Sequence, residues 1–331
     1  MMERMGADTI ICILKHLTAP ADLASASIVC RSWRQYVLEG QLWRELCHRE
    51  FPELQLVEVE FADCVARGSE RARYLHVFQS TLEKYHHGYN QLYREFTKTS
   101  VSDMNCIGAA IAASSTDEFP REKIHETLYA NPRKGRTQWL RAWSYWSSKG
   151  QRDPEVPETL TYKLVSSVCL IHEIKIRPFK AEFHTGDPIF SPRFVRFRLG
   201  YETPRSSCPD DIREIDIGYS LSQLVEFPWT PGPPPEYTWT SVSQEYPVLK
   251  EDVLQVFKLS RPVLCVGQIL QVDLLGRTET CFSDEDGALL YYICICHVNV
   301  VGTPIRNFAF RSSSASGVIY QTGVDLTLPN T

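Results

Sequence analysis

The sequence predicts an α+β chain of more than one domain, with an N-terminal group of helices, one long connecting helix and then an all-β sandwich. Three observations carry this. Apolar residues recur at helical steps from Asp8 to Leu46, and again between Ser69 and Lys98. After Ser100 the helical period gives way to short alternating runs separated by Pro, Gly and Asp. With 331 residues the chain can hold two domains, each with its own core.

The first segment carries Ile10, Ile11, Ile13, Leu14 and Leu17, which cover almost the whole circumference of a helix. Such a helix must be buried on two sides. Pro20 suits the opening of a second helix, with Asp22 in its first turn, where a carboxylate is favoured. A third runs from about Val29, with Val29, Trp33, Tyr36 and Val37 at helical spacing and Gly40 as its stop. Leu42, Trp43 and Leu46 begin one more turn. About 40 residues enclose too little of so much apolar surface, so the module is expected to need a partner.

This pattern resembles the F-box, the helical module that docks a Skp-type adaptor and, through it, the cullin of an SCF ubiquitin ligase. The matching residues are Ile13, Leu14 and Leu17, then Pro20, Asp22 and Leu23, then Val29, Cys30, Arg31, Trp33 and Arg34, and finally Leu42 and Trp43. Met5 and Gly6 stand where the family usually has Leu and Pro, which is expected to weaken the first contact. The resemblance implies that Ile10, Leu14, Leu17, Pro20, Leu23, Val29, Cys30, Trp33, Leu42 and Trp43 face the adaptor or support that face. Burying one such side chain contributes about 1.5–3 kcal/mol, so a handful suffices once association entropy is subtracted.

After a mixed stretch from Phe51 to Gly68, the segment Ser69 to Lys98 sets Leu75, Phe78, Leu82, Tyr85, Tyr89, Leu92 and Phe96 in steps of three and four. It reads as an amphipathic strut packing on a neighbour, since it lacks the sustained heptads of a coiled coil. His86 and His87 are expected at its surface or stripe edge.

Within the β region, Val168, Leu170, Ile174 and Ile176 are expected on one face, with His172 as a hydrogen-bonded core histidine among them; Glu173, Lys175 and Arg177 are expected on the other. Val195, Phe197 and Leu199 alternate with Phe194, Arg196 and Arg198, and Leu264, Val266, Leu270, Val272 and Leu274 are expected to share a face. Tyr291 to Val301 reads as a further buried strand. Turn signals separate these runs at Thr185–Pro188, Pro228–Pro235 and Ser283–Gly287. The order of Ala112–Thr116, a helix near Arg121–Leu128, Tyr145-Trp146-Ser147-Ser148-Lys149-Gly150, Leu160–Leu164 and the Val168 strand resembles the opening of a galactose-binding-like jelly roll. The Doc-type subunit of the anaphase-promoting complex and lectin-like and discoidin-like domains share this fold, and an F-box followed by such a domain is similar to a group of plant F-box proteins. The expected domains are an F-box over 1–50, a helical connector over 51–99, a jelly-roll sandwich over 100–310 and a tail over 311–331.

Composition narrows the function further. A net charge of -5 gives no footprint for nucleic acid or an anionic membrane, and the short basic run Arg133, Lys134 and Arg136 reads as a solvated loop. No secretory signal is expected, because Glu3, Arg4, Asp8 and Lys15 interrupt any apolar core, and Gly287–Ile305 reads as a buried strand rather than a membrane span. The eleven cysteines follow no Cys-x-x-Cys spacing and read as reduced thiols of a cytoplasmic or nuclear protein.

No catalytic constellation is visible, so a non-catalytic adaptor without cofactor is expected. No metal is expected either: Cys294 and Cys296 share one strand face while His297 points to the other, and Asp284, Glu285 and Asp286 lack the spacing of a calcium loop. Trp146 is expected to plug the sandwich end. Trp229, Tyr237 and Trp239, which flank a Pro-rich run, are the candidates for binding an unknown target protein. The favoured reading is a substrate receptor that brings a target to a ubiquitin ligase. The alternative is a lectin-like receptor that reads glycans on glycoproteins.

Overall fold

A computed structural model of the chain describes residues 5–61, 73–98, 105–129, 133–134, 141–142, 144–204, 235–282, 287–312 and 317–322. Helices α1 (Ala7–Leu14), α2 (Pro20–Val29), α3 (Arg31–Glu39) and α4 (Leu42–Glu50) come first, followed by the short strand β1 (Glu58–Glu60) and the long helix α5 (Arg73–Thr97). Strands β2 (Ile107–Ala113), β3 (Arg133–Lys134), β4 (Arg141–Ala142), β5 (Trp146–Ser147), β6 (Glu158–Leu164), β7 (Val168–Pro178) and β8 (Pro192–Glu202) follow. The chain continues through β9 (Tyr237–Val242), β10 (Tyr246–Pro247), β11 (Gln255–Val266), β12 (Ile269–Arg277), β13 (Glu279–Phe282) and β14 (Leu289–Tyr292). It ends with β15 (Cys294–Pro304), β16 (Phe308–Ser312) and β17 (Gly317–Gln321).

These elements form two compact units, one made of residues 1–100, 305–311 and 316–331, the other of residues 101–304 and 312–315. In the first, Pro20 opens α2 with Asp22 in its first turn, and the Gly40 N–H closes α3 on the Tyr36 carbonyl at 3.0 Å. The apolar stripe of α5 packs on α4 and the turn after it, with Phe51 edge-on to Phe96 at 4.9 Å and Phe61 edge-on to Tyr89 at 5.0 Å. Gly88 is required there, because a Cβ would run into the Phe61 ring.

The same unit contains a sheet of order β1-β17-β16. β1 runs parallel to β17, with Glu58 opposite Val318 and Glu60 opposite Tyr320. Arg311 donates to Glu60 at 2.8 Å, and Gln321 donates to Gln91 of α5 at 3.1 Å. The sequence reading ends the sandwich at 310 and leaves 311–331 as a tail, whereas β16 and β17 are strands of the helical unit's own sheet. Short parallel pairing across the full length of the chain has no local sequence signature.

The second unit is a sandwich of two antiparallel sheets. One has the order β10-β8-β12-β6-β2 with β9 also on β8, and the other has the order β11-β7-β15-β5. The successive long strands β6, β7, β8, then β11, β12 and β15, pass alternately from one sheet to the other, which is the connection of a jelly roll. Val195, Phe197, Leu199, Leu270, Val272 and Leu274 point into the core between the sheets.

β7 departs from the expected faces. Its pairing shifts register between Ile171 and Glu173, so Cys169, Ile171, Ile174 and Ile176 enter the core, while Val168 and Leu170 are buried on the opposite face beside Leu264 and Val266. A bulge inserts one residue and reverses the alternation on either side of it. His172 lies at this irregularity, half-buried, and is not a core histidine. Gly302 faces the same place across β15, where a Cβ would overlap the Leu170 carbonyl. Arg133 and Lys134 form a short ladder with Arg141 and Ala142 rather than an open loop.

Candidate functional site

The ten candidate adaptor residues divide sharply. Ile10, Leu14, Leu23, Leu42 and Trp43 are buried inside the helical unit. Trp43, at 3% exposure, lies edge-on to Tyr93 at 5.9 Å and to His86 at 6.4 Å, both on α5. The dimple lined by Leu14, Leu17, Leu23, Leu42 and Leu46 has room for about 10 Å³, no more than one water. These side chains hold the module together and present little to a partner. Apolar periodicity marks them for burial without saying whether their own chain or another covers them.

Leu17, Pro20 and Trp33 are half-buried, and Val29 and Cys30 are exposed at the junction of α2 and α3. Val29 is 61% exposed and its neighbour Ile28 is 84% exposed, while Ile13 on α1 is 47% exposed. Ile28 is missing from the ten. Steps of three and four do not single it out, because Ile28 and Val29 are consecutive and point about 100° apart.

Burial also sets the protonation of the α4–α5 interface. It lowers the His86 imidazole to about 4, with Arg34 and His87 adding in the same direction, and it lowers His48 as well. Neither the Nδ1 of His86 nor the Nε2 of His48 has a hydrogen-bond partner among the described residues, so both are suited to the neutral form.

In the sandwich, Trp229 lies outside the described residues. Tyr237 and Trp239 are half-buried on β9, at the edge of the larger sheet, with ring centroids 5.3 Å apart. The Arg198 guanidinium lies 5.8 Å over the Trp239 ring. Arg196 and Arg198 each donate through Nε to Oδ2 of Asp273 at 2.8 Å. Asp273 is 1% exposed, and its Oδ1 has no hydrogen-bond partner among the described residues. Gly200 lets β9 approach, since a Cβ there would overlap the Thr238 carbonyl. The two aromatics therefore stand beside a polar cluster on the outer face of the sheet, where Arg198 occupies one side of Trp239.

Trp146 is fully buried and its Nε1 donates to the Ser115 carbonyl at 3.0 Å, as expected of a core plug. Tyr145 stacks on Phe179 at 3.8 Å and hydrogen-bonds Glu122, whose carboxyl is raised by burial. His297 is buried with its Nδ1 donating to the Thr127 carbonyl at 2.8 Å, which commits that nitrogen to structure. Among the described residues no group of three His, Cys, Asp or Glu side chains could hold a metal ion, and the acidic turn Asp284–Asp286 lies outside them. No described helix is long and apolar enough to cross a membrane. None of the nine described cysteines forms a disulfide with another of them.

At the loop end of the sandwich, Arg277 is buried and donates to Glu158 at 2.5 Å, Ser148 at 2.9 Å and the Lys149, Tyr291 and Val156 carbonyls. Glu158 also accepts from Ser114. This network spends one guanidinium on five partners within the sandwich.

The F-box-like family matches residues 7–49. F-box protein At4g00755 of Arabidopsis thaliana is 40% identical over 313 residues, which is 94% of this chain and 78% of the relative. Among solved structures, a CBM32 module from a family 31 glycoside hydrolase of Clostridium perfringens is 11% identical and is covered over 90% of its length by 59% of this chain, with a TM-score of 0.34. The F5/8 type C domain of a Bacteroides fragilis protein is 9% identical and is covered over 97% of its length by 59% of this chain, with a TM-score of 0.31.

Proposed function

The chain belongs to the F-box protein family, and from that premise we propose that it is the substrate receptor of a Skp–cullin–F-box ubiquitin ligase. The helical unit holds the adaptor, and the sandwich holds a target protein for ubiquitination. The observation that carries the reading is the residual apolar surface of the helical unit: Ile13, Ile28 and Val29 stay in solvent although the unit has closed its own core. The adaptor-facing set is then Ile13, Leu17, Pro20, Ile28, Val29, Cys30 and Trp33, supported from within by Ile10, Leu14, Leu23, Leu42 and Trp43.

The mechanism asks no bond chemistry of this chain. Fixing the target and a ubiquitin-loaded enzyme on one frame raises their effective concentration, and transfer follows from proximity. Co-purification with a Skp-type adaptor is the test. The wild-type chain is expected to retain the adaptor, and an Ile28→Asp, Val29→Asp double variant to lose it by tenfold or more with an unchanged Tm. Retention by the double variant would count decisively against the assignment of this face.

A second reading makes the sandwich a glycan reader. It draws on Trp239 beside Arg196, Arg198 and Asp273, since sugar sites pair an aromatic ring with polar groups. A glycan array separates it from protein capture.

A further inference from the structure

Neither reading uses a thiol and an imidazole that meet at the loop end of the sandwich. Cys281 of β13 places its Sγ 4.0 Å from Nε2 of His184, which lies in the connection between β7 and β8. The two are far apart in sequence, so no local motif marks the pair.

Both partners are held by backbone. The β7–β8 connection folds back on itself: the Phe190 N–H donates to the Phe179 carbonyl at 3.2 Å and the Ala181 N–H to the Pro188 carbonyl at 2.9 Å, while Lys180 pairs with Asp187 at 3.0 Å. Within this closed turn the His184 N–H donates to the Ala181 carbonyl at 3.0 Å, and its ring stands edge-on to Phe190 with centroids 6.2 Å apart. Cys281 is fixed from the other side, where β13 pairs with β14 and sets it opposite Leu290. Thr278 ties the two elements together by donating from Oγ1 to the Ser191 carbonyl at 2.8 Å. The contact is therefore built into the fold rather than left to two mobile side chains.

Three thiols share this neighbourhood, and their surroundings differ. Cys294 is buried, while Cys281 and Cys296 are half-buried and pack on the cluster of Phe179, Ala181, Phe190 and Cys294. Burial raises the Cys294 thiol, with Glu122, Asp117 and Cys281 adding in the same direction, and burial likewise raises Cys296. The thiolate is the nucleophilic form, so both are held as poorly reactive thiols. Cys281 combines solvent access with a base within reach of its proton.

We propose that Cys281 is an oxidation site for hydroperoxides, with His184 as its base. The Cys281 thiol gives its proton to Nε2 of His184 in the Nδ1–H tautomer, and the thiolate attacks the terminal oxygen of the hydroperoxide. An S–O bond forms as the O–O bond breaks, and the departing hydroxide or alkoxide takes the proton from His184 and leaves as water or alcohol. The sulfur is oxidised to a sulfenic acid, the peroxide is reduced, and the imidazole ends neutral.

The test exposes the full chain to hydrogen peroxide in the presence of dimedone, which traps sulfenic acids, and follows each cysteine by mass spectrometry. Cys281 is expected to be trapped at least tenfold faster than Cys296, its half-buried neighbour. His184→Ala is expected to slow Cys281 fivefold or more while leaving the exposed Cys12 and Cys30 of the helical unit at their wild-type rates. Added imidazole is expected to restore at least half of that loss, a response that a merely structural role for His184 would not produce. Equal trapping of Cys281 and Cys296 in the wild-type chain would overturn the proposal, and this comparison decides it should the variant not fold. A Cys281 rate that His184→Ala leaves unchanged, or a loss that imidazole does not restore, would overturn it as well.

Discussion

Trp43 and Ile28 show how differently two apolar residues of one short module behave. Trp43 is sealed between α4 and α5, so Trp43→Ala removes a buried ring and leaves a cavity, a change that costs about 3–5 kcal/mol. Chemical denaturation is expected to show that loss as destabilisation of the helical unit, in contrast to the Ile28 and Val29 variants, which touch only solvent-facing surface. Arg277 argues the same point with charge. Arg277→Met strands Glu158 in the interior and is expected to cost about 3–5 kcal/mol, whereas Arg277→Met with Glu158→Met recovers a large part of it, as urea midpoints would show. At this scale the sequence made Leu14, Leu23, Leu42 and Trp43 legible as apolar and necessary. It did not say which surface covers them, because hydrophobicity records a preference for burial and not the identity of the neighbour. Tyr237 and Trp239 were legible as aromatics flanking a Pro-rich run, expected in a loop, whereas they lie half-buried on the strand β9; the Asp273 cluster beside them was not legible, since its three members come from two strands that are neighbours only in the fold.

Among the elements, α5 was the most legible: the stripe from Ser69 to Lys98 predicts the helix found at Arg73–Thr97, because a 3.6-residue period sustained over many turns has few competing explanations. The faces of β7 were the least legible. One residue of bulge reverses every assignment beyond it, and nothing in Leu170-Ile171-His172-Glu173 marks the insertion. The α4–α5 packing also makes a pH prediction. His86 titrates near 4 in the folded chain against an ordinary value near 6.5, so the fold holds its neutral form. The stability it lends is complete above about 6.5 and drains away as the pH falls from there toward 4, with His48 acting in the same direction. Thermal unfolding of the helical unit is expected to shift downward across that window, and His86→Phe to flatten the dependence. A Tm that holds steady from pH 7 to 4.5 in the wild-type chain would contradict it.

On the scale of the whole molecule, the two-domain plan was legible from the change of period at Ser100 and the β sandwich from the alternating strand signals, while the jelly roll came from the resemblance of its opening segments to a known fold. The return of the chain was not. Ile305–Arg311 and the residues from Ser316 onward belong to the first unit, so the sandwich is an insertion within it and not an appendage after it. A chain ended at Pro304 keeps all the long strands of the sandwich and strips β16 and β17 from the helical unit. It is expected to yield a protease-resistant sandwich fragment, readable by gel electrophoresis, together with weakened adaptor retention; full retention would show that the small sheet is dispensable.

The pairing of β1 with β17 also fixes an order of events during synthesis. Glu58 leaves the ribosome about 260 residues before Val318, its partner, a delay of roughly 13–50 s at about 5–20 residues per second. Throughout that interval the strand edge of β1 waits unclaimed while the sandwich can already close. A chaperone that shields the nascent N-terminal segment, or slow decoding that lengthens the wait, therefore acts on this protein long before its last strand arrives.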